Sequence, residues 1–342
     1  MVNVPSRTEV QSYEMALATP FKPKSISARI HPPLFIQNSG AWIELLSLAQ
    51  SSGMASVVIR SIQNCEWRRQ IPESISEMLI EQGDKYEFLR AVADSETNRA
   101  IQILLAEKIE VALINGMDMA RRYYPTPQDR PVDSIDLLIH PKHKGAALRA
   151  LGRAGFRTED AGASHCAALR SNPRGTELKL YSGLMAIDSP DLLDEIWART
   201  RDAVIPGVPL STRCLSREDQ IALLISEVLL DGTKLTLYLN DLHFLIQGGD
   251  LNWNEIISVL ADRKKLFAAW FVLSILQQDY RTEIKPSVLA CLSGVVNPLR
   301  KKSITRFLKN QELNTSQTIK LNDGLFERLK WGLSSTPTLS PK

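Results

Sequence analysis

The chain has 342 residues, 44% of them hydrophobic, and a formal net charge of +3. That is enough apolar material for two or three folded domains, and too little charge to imply a nucleic-acid partner. No run of about 18 apolar residues and no secretory signal pattern is found, so no membrane span is expected and the cytoplasm is the expected location.

Residues 1–33 are rich in Pro, Ser and Lys and read as an extended arm. Apolar residues then recur at three- and four-residue spacing in "AWIELLSLAQ" and through 73–109, which predicts amphipathic helices over a first helical region, 34–109. The pattern changes near Glu110. "VALING" (111–116) is a short apolar run closed by an Asn-Gly turn signal, and "MDMARRYY" has helical spacing up to Pro125. "SIDLLIH" reads as a second strand, "PKHKGAALRALGRAGF" as a helix from Pro141 to near Gly155, and "TELKLYSG" (176–183) as a third strand. Residues 110–188 therefore form a small α/β core, 189–330 a second helical region, and 331–342 a flexible tail. The fold class expected is α+β, a small mixed sheet with helices, flanked by N-terminal and C-terminal helical regions. Trp253, Phe267, Trp270 and Phe271 fall at helical intervals and are expected in a core. Cys65, Cys166, Cys214 and Cys291 are scattered, with no CxxC pair to suggest zinc or a disulfide framework.

The stretch "RPVDSIDLLIH" (130–140) carries the chemistry. Alternation along a strand places Ser134, Asp136, Leu138 and His140 on one face and Ile135, Leu137 and Ile139 on the other. The same rule turns Glu177, Lys179 and Tyr181 away from Leu178 and Leu180, so a pairing of the two strands would set Asp136 beside them. Acids at i and i+2 lie about 7 Å apart on one face, a spacing at which they can hold magnesium ions for in-line displacement at a phosphate. A glycine turn after a strand lets backbone amides approach phosphates.

In order and spacing, "INGMDMARRYYP", "RPVDSIDLLIH", "ALRALGRAGF" and "TELKLYSG" resemble a bacterial nucleotidyltransferase family, and "LYLNDLHFLI" and "LNWNEII" resemble its later helical segments. The resemblance covers about residues 100–280. It implies a nucleotidyltransferase-like core, a nucleoside triphosphate with Mg2+, and a small-molecule or protein acceptor. Asp136, Asp133 and Glu177 would be the catalytic acids, with metal on Asp136 and Asp133. Gly116, Asn115, Ser134, Arg130 and Lys179 would bind the nucleotide.

The chain departs from the family pattern at the site. Ser134 stands where the first metal-binding Asp belongs, and Asp133 lies one residue early, on the wrong face unless the strand begins with a bulge. Lys179 replaces the third acid, Tyr181 a His, and Asn115 a Lys. A hydroxyl and an ammonium in place of two carboxylates disfavour Mg2+. Lys179 would then pair with Asp136, leaving a degenerate nucleotidyltransferase fold that serves as a binding or scaffold subunit for a biosynthetic partner. A third reading gives the work to the helical regions as an interaction protein.

Other candidates are weaker. Arg121 and Arg122 suit phosphate but also suit surface ion pairs. Asp118 fits the first turn of a helix, Asp241 either a helix surface or, as the resemblance implies, a place close to the cleft, and His140 with His143 a solvated turn. Cations dominate 300–330, but aromatics for base stacking are sparse, which argues against nucleic acid.

Overall fold

The computed structural model describes residues 37–298, apart from 52, 161–165, 172–174, 185–189, 203–204, 206, 209–211, 229–234, 262 and 297. The arm, the basic stretch beyond 300 and the tail lie outside the described residues. Two compact units form, one from described parts of 1–79 and 224–342, the other from 80–223.

The first unit is helical. It contains α1 (Ser39–Ser51), α2 (Ala55–Gln63) and the first turns of α3 (Glu73–Ala106). The chain later returns to it, and the helices of that return are numbered below in chain order. Trp42, Leu45, Val58, Leu242, Phe271 and Leu276 are fully or nearly fully buried there, and the Trp42 and Trp67 rings lie 6.2 Å apart.

The second unit is a mixed sheet. Its strands are β1 (Val111–Leu113), β2 (Ser134–Ile139), β3 (Arg157–Asp160), β4 (Cys166–Arg170), β5 (Glu177–Tyr181), β6 (Arg201–Asp202) and β7 (Arg213–Cys214). They run in the order β3-β4-β5-β2-β1-β7-β6. Sequence patterning anticipated β1, β2 and β5. The hairpin β3/β4 and the short pair β6/β7 carry little alternation to betray them. The pairings of β2 with β5 and of β1 with β7 are parallel, whereas β1 with β2 is antiparallel. α4 (Asn115–Arg122) follows β1, and α5 (Lys144–Arg153) follows β2. The chain leaves α5 through Gly155 at φ +92°, a left-handed position that glycine adopts without Cβ strain.

Alternation decides what each sheet face does. Ile135, Leu137, Ile139, Leu178, Leu180, Ala167 and Leu169 share one core cluster with Ala93, Ile101 and Leu104 of α3 and Ala147 and Leu151 of α5. The helix residues recur at three- and four-residue steps, so one stripe of each helix covers that face. Glu96 of α3, also buried, accepts a hydrogen bond from the Thr176 amide at 2.9 Å and another from Ser171 Oγ, which fixes the entry to β5. The opposite face is left to Ser134, Asp136, Glu177, Lys179 and Tyr181.

After β5 come α6 (Pro190–Arg199), α7 (Arg217–Val228), α8 (Leu235–Gln247), α9 (Trp253–Val259), α10 (Arg263–Asp279) and α11 (Pro286–Val295), giving eleven α-helices among the described residues. Phe267, Trp270 and Phe271 are buried as expected, but Trp253 is half-exposed, because it opens the short helix α9 instead of lying inside a longer one. Asp241 is fully buried in α8, so the surface-charge expectation fails for it. No described helix is long and apolar enough to cross a membrane.

Candidate functional site

β2 and β5 pair in register, Ser134 with Glu177, Asp136 with Lys179 and Leu138 with Tyr181. Asp136 is 7% exposed, and what covers its carboxylate is polar. Ser134 Oγ donates to Oδ1 at 2.8 Å and Asn115 Nδ2 to Oδ2 at 3.2 Å. Asn115 reaches it from a left-handed backbone, φ +52°, which Asn tolerates better than most residues. Gln220 of α7 in turn donates to Asn115 Oδ1 at 3.4 Å. Three polar residues on three elements thus hold one buried acid.

Burial pushes the Asp136 carboxyl above the usual carboxylate range, against the pull of the Lys179 charge, the Ser134 and Asn115 hydrogen bonds and the Arg130 charge. With the folded value raised above the unfolded one of about 3.9, the ionised carboxylate costs stability. The penalty is absent below the unfolded value and grows as pH rises through the raised folded value. Asp136→Asn is therefore expected to raise the melting temperature at pH 7 and to change it less at pH 4. Calorimetry at both pH values checks this, and an equal or larger gain at pH 4 would contradict it.

Lys179 pairs with Glu177 at 4.0 Å, and both side chains stay partly exposed, 34% and 28%. Arg130 is buried and donates from Nη1 to the Pro131 carbonyl at 2.6 Å. Its guanidinium also lies on Gly116, where an added Cβ would stand 2.3 Å from Nη1. Gly116 makes room for this side chain, a role the turn signal did not reveal. Gly116→Ala should push the guanidinium aside at a stability cost of about 1 kcal/mol. Urea denaturation of the variant measures the cost.

Asp133 is exposed, precedes the first residue of β2, and its charge acts on Tyr86 of α3. The fold therefore brings together Asp136, Ser134, Asn115, Gly116, Arg130, Lys179 and Glu177. Asp118 is fully buried and bound by one bidentate edge of the Arg122 guanidinium, from Nε to Oδ1 at 2.5 Å and from Nη2 to Oδ2 at 2.5 Å. His140 Nε2 lies 3.3 Å from Asp194 Oδ1, so that turn is partnered more than a solvated surface would be. Gln220, Arg90 and Asp94 were not singled out in the sequence. They come from helices far along the chain, and only the tertiary fold shows them near these residues.

Residues 38–279 match the family described as uncharacterised nucleotidyltransferases. The chain belongs to that family. Among solved structures, it is similar to the antibiotic-resistance factor ANT(2'')-Ia, at 15% identity and a TM-score of 0.37, over 53% of this chain and 94% of that one. It is also similar to an antigenic nucleotidyltransferase-like protein from Paracoccidioides brasiliensis, at 16% identity and a TM-score of 0.37, over 59% of this chain and 95% of that one. No curated protein matches.

The donor set can be tested against the divalent ion that nucleotidyltransfer implies. Mg2+ requires several hard, negatively charged oxygens in near-octahedral array. Here both oxygens of Asp136 already accept hydrogen bonds, and two cations, Lys179 and Arg130, act on the carboxylate. Among the described residues no group of three or more His, Cys, Asp or Glu side chains is placed to hold a metal. The site does not fit Mg2+.

Proposed function

We infer that this nucleotidyltransferase-family chain binds the phosphates of a nucleoside triphosphate without a divalent ion at Asp136, and serves as a binding or scaffold subunit for a biosynthetic partner. The observation that supports this reading is the charge balance around Asp136, which lies opposite Lys179 in the sheet and on whose carboxylate the Lys179 and Arg130 charges both act. An ammonium and a guanidinium can neutralise phosphate charge but cannot supply the bridging coordination of a metal pair. Titration calorimetry with ATP in EDTA and in magnesium tests it. Affinity should be equal in the two buffers and should drop by about tenfold or more in Lys179→Met, as loss of a charge-assisted contact predicts. Binding that requires magnesium would refute it.

A second reading keeps transfer of a nucleotidyl group to a small-molecule or protein acceptor. It is favoured by Glu177, which shares the face of Asp136 and is only partly covered. Turnover abolished by both Asp136→Ala and Glu177→Gln would establish it in place of the first.

A further inference from the structure

A second group of charges joins α3 to α4. Asp94 of α3 accepts from Arg90 Nε at 3.2 Å on each oxygen, and from Arg121 Nη2 of α4 at 2.6 Å on Oδ1. Arg90 Nη1 donates to the Pro127 carbonyl at 2.7 Å and to that of Arg130 at 3.4 Å. The Arg90 and Arg121 side chains are only 10% and 5% exposed, whereas Asp94 is 38% exposed. Two guanidinium donors in this buried group, Arg90 Nη2 and Arg121 Nη1, have no hydrogen-bond partner among the described residues. Burial lowers the Arg90 pKa against the pull of Asp94, and the Arg121 and Arg130 charges lower it further. Cations therefore outnumber the carboxylate that faces them.

Buried guanidinium groups ordinarily find partners for their donors, and leaving one unpaired costs free energy. Here each fork is half used. Asp94 as placed engages one N–H group of each fork and leaves Arg90 Nη2 and Arg121 Nη1 unpaired among the described residues, although its lone pairs would suffice for more. A tetrahedral phosphoryl dianion carries more oxygens and more charge, and Arg forks match it in pairs.

We propose that Arg90 and Arg121 form a cradle for a phosphoryl anion, and that Asp94 is its built-in occupant, which swings into solvent when the anion arrives. The exposure of Asp94, against the burial of both arginines, gives it the side of the cluster that opens outward. No covalent step is involved. The exchange replaces a singly charged acceptor by a doubly charged one that also engages Arg90 Nη2 and Arg121 Nη1. This cradle is separate from the Lys179 contact of the nucleotide reading and stands without it.

The test uses the full chain with inorganic pyrophosphate at constant ionic strength, read by titration calorimetry and thermal melting. Pyrophosphate should bind the wild type and raise its melting temperature where chloride does not. Asp94→Asn, which weakens the internal competitor, should bind about tenfold tighter, and Arg121→Gln about tenfold weaker. Lys179→Met should bind pyrophosphate as the wild type does. If neither the wild type nor Asp94→Asn binds pyrophosphate, or if Asp94→Asn binds it no tighter, the cradle is refuted even should Arg121→Gln fail to fold. Loss of pyrophosphate binding in Lys179→Met would place the anion at the Asp136 face, which overturns the cradle and leaves the nucleotide reading standing.

Discussion

Replacing Asp118 with Ala is expected to lower the unfolding free energy by about 3–5 kcal/mol, the usual cost of removing one partner from a buried ion pair. Asp118 is sealed from solvent, and Arg122, with 18% of its side chain exposed, is clamped on both carboxylate oxygens. Arg122 also reaches the Leu215 carbonyl at 3.4 Å and lies over the Tyr123 ring at 4.7 Å, so the pair ties α4 to the segment following β7. The loss leaves a guanidinium without its counter-charge, which is worse than losing both. Asp118→Leu with Arg122→Met should therefore recover much of the stability, because an apolar pair of similar volume avoids the desolvation cost. Urea denaturation of the single and double variants decides it. A double variant as unstable as the single one would mean that the pair contributes net attraction and not only mutual neutralisation.

Leu137→Ala should cost about 2–5 kcal/mol. Leu137 is fully buried and sits in the cluster formed by the sheet and the inner stripes of α3 and α5, where a cavity cannot easily collapse. Its neighbour Asp136 points the other way, and its amide substitution is expected to stabilise. Two consecutive residues of one strand are thus predicted to respond with opposite sign. Equilibrium denaturation of both variants measures the contrast, and a loss below about 1 kcal/mol for Leu137→Ala would mean that the strand does not divide the sheet faces as described.

Alternation is also why much of this core could be read before any coordinates. The spacing of Ile135, Leu137 and Ile139 against Ser134 and Asp136 carries the division of faces, and the apolar spacing of Leu178 and Leu180 carries its counterpart in β5. What alternation does not carry is which strands are neighbours or what comes near from elsewhere. The parallel pairing that sets Lys179 opposite Asp136 depends on tertiary packing. Asn-Gly read as a turn, whereas Asn115 opens a helix with a left-handed backbone and turns its amide to Asp136. Gly116 read as a phosphate turn, whereas the space at its Cα is taken by Arg130, fourteen positions later in the chain. Arg90 and Asp94 gave no signal, because an Arg and an Asp four residues apart on a helix ordinarily make an exposed pair. Their significance lies in Arg121 and the loop at Pro127, which local sequence does not place.

Cys166 has a practical use that follows from its strand. Ala167 and Leu169 belong to the core, so the half-exposed thiol at 166 lies on the other side of β4 and is paired in register with Tyr181. Burial raises its pKa, and the Asp136 charge adds to the effect against that of Lys179. A native sulfhydryl thus stands beside the charged residues without any engineering, and its rate of alkylation becomes a spectroscopic readout of whatever settles over them.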